Sequence, residues 1–245
     1  MPGMLGKEGL VELVEILTQV GSRLRIRAGF SDGRLPSSVA RALENLLKDS
    51  KPDKEDGASL QQVALDVQEC KACALHKHRK KVVVGEGDPR AELVFVGEGP
   101  GEEEDLQGRP FVGAAGQLLD KIIKAMGLAR QEVFICNVVK CRPPANRTPR
   151  PEEVEACSPF LFRQLRAIRP KVICALGTVA AQALLCTSEP IGRLRGSFRQ
   201  WEGIAVMPTF HPSYLLRNPH RKRDVWEDMK EILGLLGRKI PLRSG

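Results

Sequence analysis

The run Gly97–Asp105, GEGPGEEED, joins a bare backbone to a dense set of acids. Gly97, Gly99 and Gly101 carry no side chains, so a flat ligand can approach the chain and meet its N–H donors. Five of the eight residues from Glu98 to Asp105 are carboxylates, and carboxylates repel phosphate. The run is not a Walker loop, because no Gly-Lys-Ser/Thr follows Gly97. Nor is it the dinucleotide fingerprint, because Glu102 stands where the third glycine belongs. Its carboxylates suit work on protons, water or a developing cation. Glu102 and Glu103 read as the acidic first turn of a helix. Glu98, between two glycines, reads as a site residue.

Cysteines form the second group. Cys70 and Cys73 make a C-x-x-C, which alone is ambiguous between redox, zinc and iron–sulfur use. Cys141 and Cys157 follow after gaps of 67 and 15 residues. A zinc ribbon needs a second C-x-x-C, and this chain has none. A thioredoxin-type pair would not precede a basic stretch such as HKHRKK at 76–81. Four thiolates drawn from distant loops suit a [4Fe–4S] cube held by four cysteines. The remaining Cys136, Cys174 and Cys186 stand in apolar contexts and read as small buried hydrophobes.

Composition narrows the partner. The 245 residues carry a formal charge of +8 and a pI near 9.3, which favours a polyanion. No apolar run reaches the roughly 20 residues of a membrane span, and the Lys and Glu within the first 17 residues do not fit a signal peptide. Seven cysteines, an odd number, argue for a reducing cytoplasm.

These residues must be positioned by an alternating pattern. Strands are expected over 91–98, 132–140, 171–177 and 204–210, and helices over 113–128, 151–169, 178–186 and 222–237. Short apolar strands between helices indicate an α/β fold with a parallel sheet covered on both faces. In such sheets ligands bind beyond the carboxyl ends of the strands. GEGPGEEED, NVVKCRPPANR, LGTVA and TFHPSYLLRNP should therefore line the site. Residues 8–21 and 36–49 read as two helices, followed by a polar linker at 50–59. The division is a helical extension over 1–58 and a catalytic domain over 59–245.

With these residues assembled, the chain resembles the family 4 uracil-DNA glycosylases, the iron–sulfur members of their superfamily. The resemblance rests on the C-x-x-C at 70–73, GEGPGEEED at 97–105, GRPFVGAAGQLLD at 108–120 and NVVKCRPPANRTP at 137–149. Cys157, Arg195–Gly196 and HPSYLLR at 211–217 add to it. It spans about residues 65–238 and leaves 1–58 unexplained. It implies a three-layer α/β/α fold with a short parallel sheet. The implied activity is base-excision repair: hydrolysis of the bond between uracil and deoxyribose in DNA, leaving an abasic site. The implied cofactor is a structural [4Fe–4S] cluster on Cys70, Cys73, Cys141 and Cys157.

The resemblance also assigns roles. A base inside a duplex must be flipped out, and Phe111 stacks on it. Asn137 reads uracil, accepting from N3–H and donating to O4, a pattern that cytosine reverses. His211 donates to O2, where charge develops on the leaving group. Gly97, Glu98 and Gly99 floor the uracil pocket. Gly99 occupies the position of a water-activating Asp in another branch, so Glu98 and Glu104 become the catalytic carboxylate candidates. DNA contacts are expected from Arg142, Asn146, Arg147, Ser213 and Arg217, with Arg221, Lys222, Arg223 and the HKHRKK run beside them. Leu215 or Leu216 would wedge into the gap left by the flipped base. The Arg-rich run 191–200 has no His, so turnover is expected and not covalent trapping.

The expected protein is a cytoplasmic monomer that visits the nucleoid, acts on uracil-containing DNA without a membrane, and can meet a protein partner through residues 1–58. Two alternatives remain at this level. One is a broader glycosylase for deaminated bases such as hypoxanthine or xanthine. The other is a non-catalytic iron–sulfur module that binds DNA.

Overall fold

A computed structural model describes residues 59–241. The helices expected at 8–21 and 36–49, and the boundary at 58, lie outside the described residues. The described part begins with helix α1, Leu60–Glu69, capped by the Ser59 hydroxyl, which accepts from the Gln62 N–H at 3.2 Å.

The sheet has six strands: β1 (Glu86–Gly87), β2 (Leu93–Gly97), β3 (Phe134–Asn137), β4 (Val172–Leu176), β5 (Arg199–Trp201) and β6 (Ile204–Thr209). Their order is β1-β3-β2-β4-β6-β5. The inner four are parallel, as the pattern required. The two edges pair antiparallel, so the sheet is mixed rather than wholly parallel.

Between strands lie α2 (Glu102–Gln107), α3 (Ala114–Ala125), α4 (Pro151–Ile168), α5 (Thr178–Leu185) and α6 (Ile191–Leu194), and α7 (Pro212–Arg217) and α8 (Lys222–Leu235) follow β6. They cover both faces. Alternate strand residues divide two cores, as a pleated sheet dictates. Val94, Val96, Cys136, Ile173 and Ala175 pack with Leu161 and Leu165 of α4 and Ala180 of α5. Leu93, Phe95, Ile135, Cys174 and Met207 pack with Leu119 and Ile123 of α3 and Met229, Ile232 and Leu233 of α8. The product is the three-layer α/β/α arrangement. Strands β2, β3, β4 and β6 end on one side of it, where β2 stands between β3 and β4 and the chain order reverses.

Among the described residues, no helix is long and apolar enough to cross a membrane. Of the three cysteines read as buried, Cys136 and Cys174 are, but Cys186 is exposed. It terminates α5 in a left-handed conformation, φ 48°, which turns it out of the apolar face.

Candidate active site

The four parallel strand ends open onto one cleft of about 900 Å³. Gly97 and Asn137 are register partners at the ends of β2 and β3, and Leu176 faces Thr209 at the ends of β4 and β6. Glu98, Gly99, Glu104, Phe111, Asn137, His211, Asn146, Arg147, Ser213 and Arg217 all line the cleft.

Asn137 lines it and is 1% exposed. Its Oδ1 is the one buried side-chain N or O atom, among the described residues, without a hydrogen-bond partner. Leaving such an acceptor unmet costs about 1–3 kcal/mol, so a ligand donor is needed to satisfy it. Gly97 is required beside it. A Cβ there would lie 2.4 Å from Asn137 Oδ1 and 2.5 Å from Phe111 Cζ.

Phe111 is held by strong local forces, because its own backbone is strained. Its φ is +51°, the left-handed region, and it is 5% exposed. Glu104 supplies the main clamp. One carboxylate oxygen accepts from the N–H groups of Val112 and Gly113, each at 2.9 Å. The other accepts from Gly101 N–H at 3.0 Å. Arg130 donates to the carbonyl of Pro110 at 2.6 Å. Gly116 on α3 lets the loop sit against the helix, since a Cβ there would come 2.0 Å from the Phe111 carbonyl carbon. The Phe111 ring faces His211 with centroids 5.6 Å apart.

His211 caps α7. Its Nδ1 accepts from the Ser213 N–H at 3.1 Å and lies 2.8 Å from the Ser213 hydroxyl. With Nδ1 engaged as an acceptor, a neutral ring carries its proton on Nε2. Burial, aided by the Arg217 cation, lowers the His211 pKa to about 4. The ring is therefore neutral near pH 7 and available as an Nε2–H donor. Beneath it, the Thr209 hydroxyl donates to Asp228 at 2.5 Å. Arg195 donates to both oxygens of that buried carboxylate, at 2.6 and 3.2 Å, and to the Asp224 carbonyl at 2.7 Å. This network fixes the end of β6, two residues before the histidine. Gly177, at φ +92°, brings the end of β4 within reach, and a Cβ there would be 3.0 Å from His211 Cβ.

Glu98 differs from Glu104. It is half-buried, and its carboxylate makes no hydrogen bond or ion pair among the described residues. Burial raises its pKa above the ordinary carboxylate range.

The four cysteines meet away from the cleft. Cys70, Cys73, Cys141 and Cys157 line one cavity with Arg79, His76, Lys140 and Phe160. N–H donors reach three of the sulfurs. Arg79 Nη1 lies 3.2 Å from Cys141, Lys140 N 3.3 Å from Cys157, and Ala72 N 3.5 Å from Cys70. Such donors favour thiolates over thiols. Burial pushes the Cys157 thiol up to about 11, so a thiolate there needs an electropositive centre. Among the described residues, no group of three His, Cys, Asp or Glu side chains is arranged to hold a single metal ion. Four cysteine sulfurs at one cavity are the donor set that an iron–sulfur cluster takes, with N–H groups directed at three of them.

The sequence pattern of the Uracil DNA glycosylase superfamily matches residues 84–230. The type-4 uracil-DNA glycosylase of Thermotoga maritima is 53% identical over 169 residues, covering 67% of this chain and 88% of that protein. Its counterpart from Archaeoglobus fulgidus is 44% identical over 191 residues, covering 75% and 96%. That from Saccharolobus solfataricus is 44% identical over 190 residues, covering 74% and 88%. The chain belongs to the type-4 uracil-DNA glycosylases.

Several expected positions of the glycosylase need correction. Glu104 is engaged through both carboxylate oxygens by three backbone N–H groups, which leaves it a clamp rather than a group waiting for water. Leu215 is 1% exposed and packs in the core beneath α7, so it cannot wedge into DNA; Leu216 is 46% exposed. Arg147 lines the cleft but spends two donors on the buried Glu153, at 2.7 and 2.8 Å. Arg142 lies outside the cleft lining and donates to Asn146 Oδ1 at 2.8 Å. Within HKHRKK, Arg79 turns to the cysteine cavity and Asp105 accepts from the N–H groups of Lys80 and Lys81. Arg217 is exposed and makes no ion pair among the described residues, so it can meet a phosphate. Thr178, Gln182 and Tyr214 also line the cleft and were not singled out. LGTVA marked the region of Thr178, but nothing distinguished the side chains.

Proposed function

We propose that this protein excises uracil from DNA by leaving-group stabilisation in the slot between Phe111, Asn137 and His211. The observation that carries this reading is the unpartnered Oδ1 of Asn137. Uracil N3–H supplies the missing donor, and the Asn137 amide N–H₂ donates to O4. Cytosine offers an acceptor at N3 and a donor at its exocyclic amine, so it leaves Oδ1 unmet. The Phe111 ring stacks on the flipped base. The neutral His211 donates from Nε2 to O2 as negative charge develops there. The C1′–N1 bond breaks with its electron pair going to uracil. Water adds to C1′ and gives its proton to Glu98, whose carboxylate has no partner among the described residues. Glu104 keeps the Phe111 loop in place.

Arg217, Ser213 and Asn146 face phosphates at the cleft mouth, and Leu216 fills the gap in the stack. Cys70, Cys73, Cys141 and Cys157 hold a [4Fe–4S] cluster. When bound, it supplies four Fe–S anchors that tie the 70–73 segment, the loop after β3 and helix α4 together. The reading includes a monomer in the cytoplasm, with residues 1–58 available to a protein partner.

The test is uracil release from an oligonucleotide by cluster-loaded protein and by its Asn137→Asp variant. Rapid release by the parent and a loss of at least about 100-fold in the variant are expected, because a donor is lost and a carboxylate is set against O4. Equal rates would refute the assignment of Asn137.

A further inference from the structure

Lys140 is a buried cation that the excision chemistry does not use. It is 1% exposed. Its Nζ donates to the main-chain carbonyl of Asn137 at 2.7 Å and to Oε1 of Gln164 at 2.6 Å. Gln164 is itself fully buried and fixed, its amide donating to the Val84 carbonyl at 2.9 Å. The Lys140 backbone N–H donates to Cys157 Sγ, and the residue walls the cysteine cavity. One residue thus touches both the uracil-reading asparagine and the sulfur cage.

Its surroundings are unusual in charge. Buried Glu153 has Arg147 and buried Asp228 has Arg195. Buried Glu104 and Asp105 accept from backbone N–H groups. Lys140 has two neutral carbonyl-type oxygens and, among the described residues, no carboxylate. A buried ammonium without an anion is costly. The anionic groups next to it are the cysteine sulfurs once they bind iron as thiolates.

We propose that Lys140 is a positioning residue that couples the cluster cage to uracil recognition. Its ammonium balances the charge of the thiolate-bound cluster. The same ammonium grips the Asn137 carbonyl and so sets where the Asn137 amide points. The proposal rests on the roles given above to Asn137 and the four cysteines. It gives the cage a use in a reaction that transfers no electrons: a loaded cage keeps Lys140 in place, and Lys140 keeps the base-reading amide in register. A residue that merely filled the core would affect thermal stability alone.

The test compares anaerobically loaded wild type with Lys140→Met, Gln164→Leu and Asn137→Asp. Three quantities are read: the lifetime in air of the cluster absorbance at about 400 nm, inhibition of excision by free uracil, and affinity for an undamaged oligonucleotide. Lys140→Met should bleach several-fold faster and weaken free-uracil inhibition about tenfold or more, with undamaged-DNA affinity unchanged. Gln164→Leu keeps the charge and all four cysteines but removes one anchor. It should weaken uracil inhibition while retaining colour, and it decides the matter if Lys140→Met does not fold. Lys140→Met that matches wild type in either colour or uracil inhibition overturns the coupling, as does Gln164→Leu with unchanged uracil inhibition. Asn137→Asp separates the two readings. If it keeps full sensitivity to uracil, the role of Asn137 itself fails. If it loses sensitivity while the Lys140 and Gln164 variants do not, the coupling alone fails.

Discussion

Acid should weaken this protein through His211. In the fold, burial holds the ring neutral with a pKa of about 4, below the ordinary 6.5. Above pH 6.5 the ring is neutral in both folded and unfolded chains and adds no pH dependence. Between about 6.5 and 4 the unfolded chain takes up a proton that the folded protein refuses, so stability falls as pH falls. The separation from 6.5 to about 4, at about 1.4 kcal/mol per tenfold change in proton affinity, amounts to about 3 kcal/mol. That figure is an upper value, because the ring borders an open cleft and water reaches part of it. His211→Gln removes the ring and its share of the slope. The assay is urea unfolding of wild type and variant, both cluster-loaded, at pH 7.5, 6.5, 5.5 and 4.5. The wild type should lose stability faster than the variant across this window. The other histidines and carboxylates contribute equally to both curves and cancel in the difference. Parallel curves would refute the claim that the ring is held neutral, and with it the argument that Nε2–H is ready to donate to uracil O2.

Three further outcomes follow from the same geometry. Glu98 has its pKa raised by burial and must be ionised to take a proton from water, so excision should slow as pH falls through that raised value; Glu98→Gln should be slower and should lack this limb, and a retained limb would assign it elsewhere. Glu104→Ala frees three backbone N–H groups and should cost about 2–4 kcal/mol in unfolding experiments, with excision lowered through a displaced Phe111; a stable, fully active variant would rule out the clamp. Leu215→Ala should cost about 2–5 kcal/mol of stability, whereas Leu216→Ala should leave stability unchanged and slow excision more on duplex than on single-stranded uracil DNA. Equal slowing on both substrates would remove Leu216 as a wedge.

Much of this architecture is legible in the sequence, for identifiable reasons. The four inner strands are short, continuous apolar runs because both of their faces are buried, and each is followed by a helix with apolar residues at helical spacing. That placed Gly97, Asn137 and His211 at strand ends. The edge strands were not visible: β1 has two residues and β5 has three, two of them exposed and polar, so neither makes a pattern. The phase of α7 was likewise hidden. Six residues beginning at a proline do not establish which of two adjacent leucines faces inward, and packing against the second core chose Leu215. Glu104 is one of four adjacent acids that look alike. Only the folded chain brings Val112 and Gly113 to its carboxylate. Lys140 had no signal at all, being one cation in a basic chain. Charge counting refines one expectation: residues 1–58 contain nine Lys or Arg and nine Asp or Glu, so the net +8 belongs to residues 59–245. Attraction to the phosphate backbone should therefore survive removal of residues 1–58.

The grip of Glu104 bears on how this enzyme could be retuned. One carboxylate holds Gly101 beyond the end of β2 and Val112–Gly113 beside Phe111, so both sides of the proposed base slot are tied to one side chain. Widening the proposed slot on either side would break part of that grip. Opposite them stands His211, on a six-residue helix that carries its own small hydrogen-bonded cap. A search for variants that accept larger damaged bases should begin at α7 and the end of β4, the adjustable wall, and leave the acidic loop untouched.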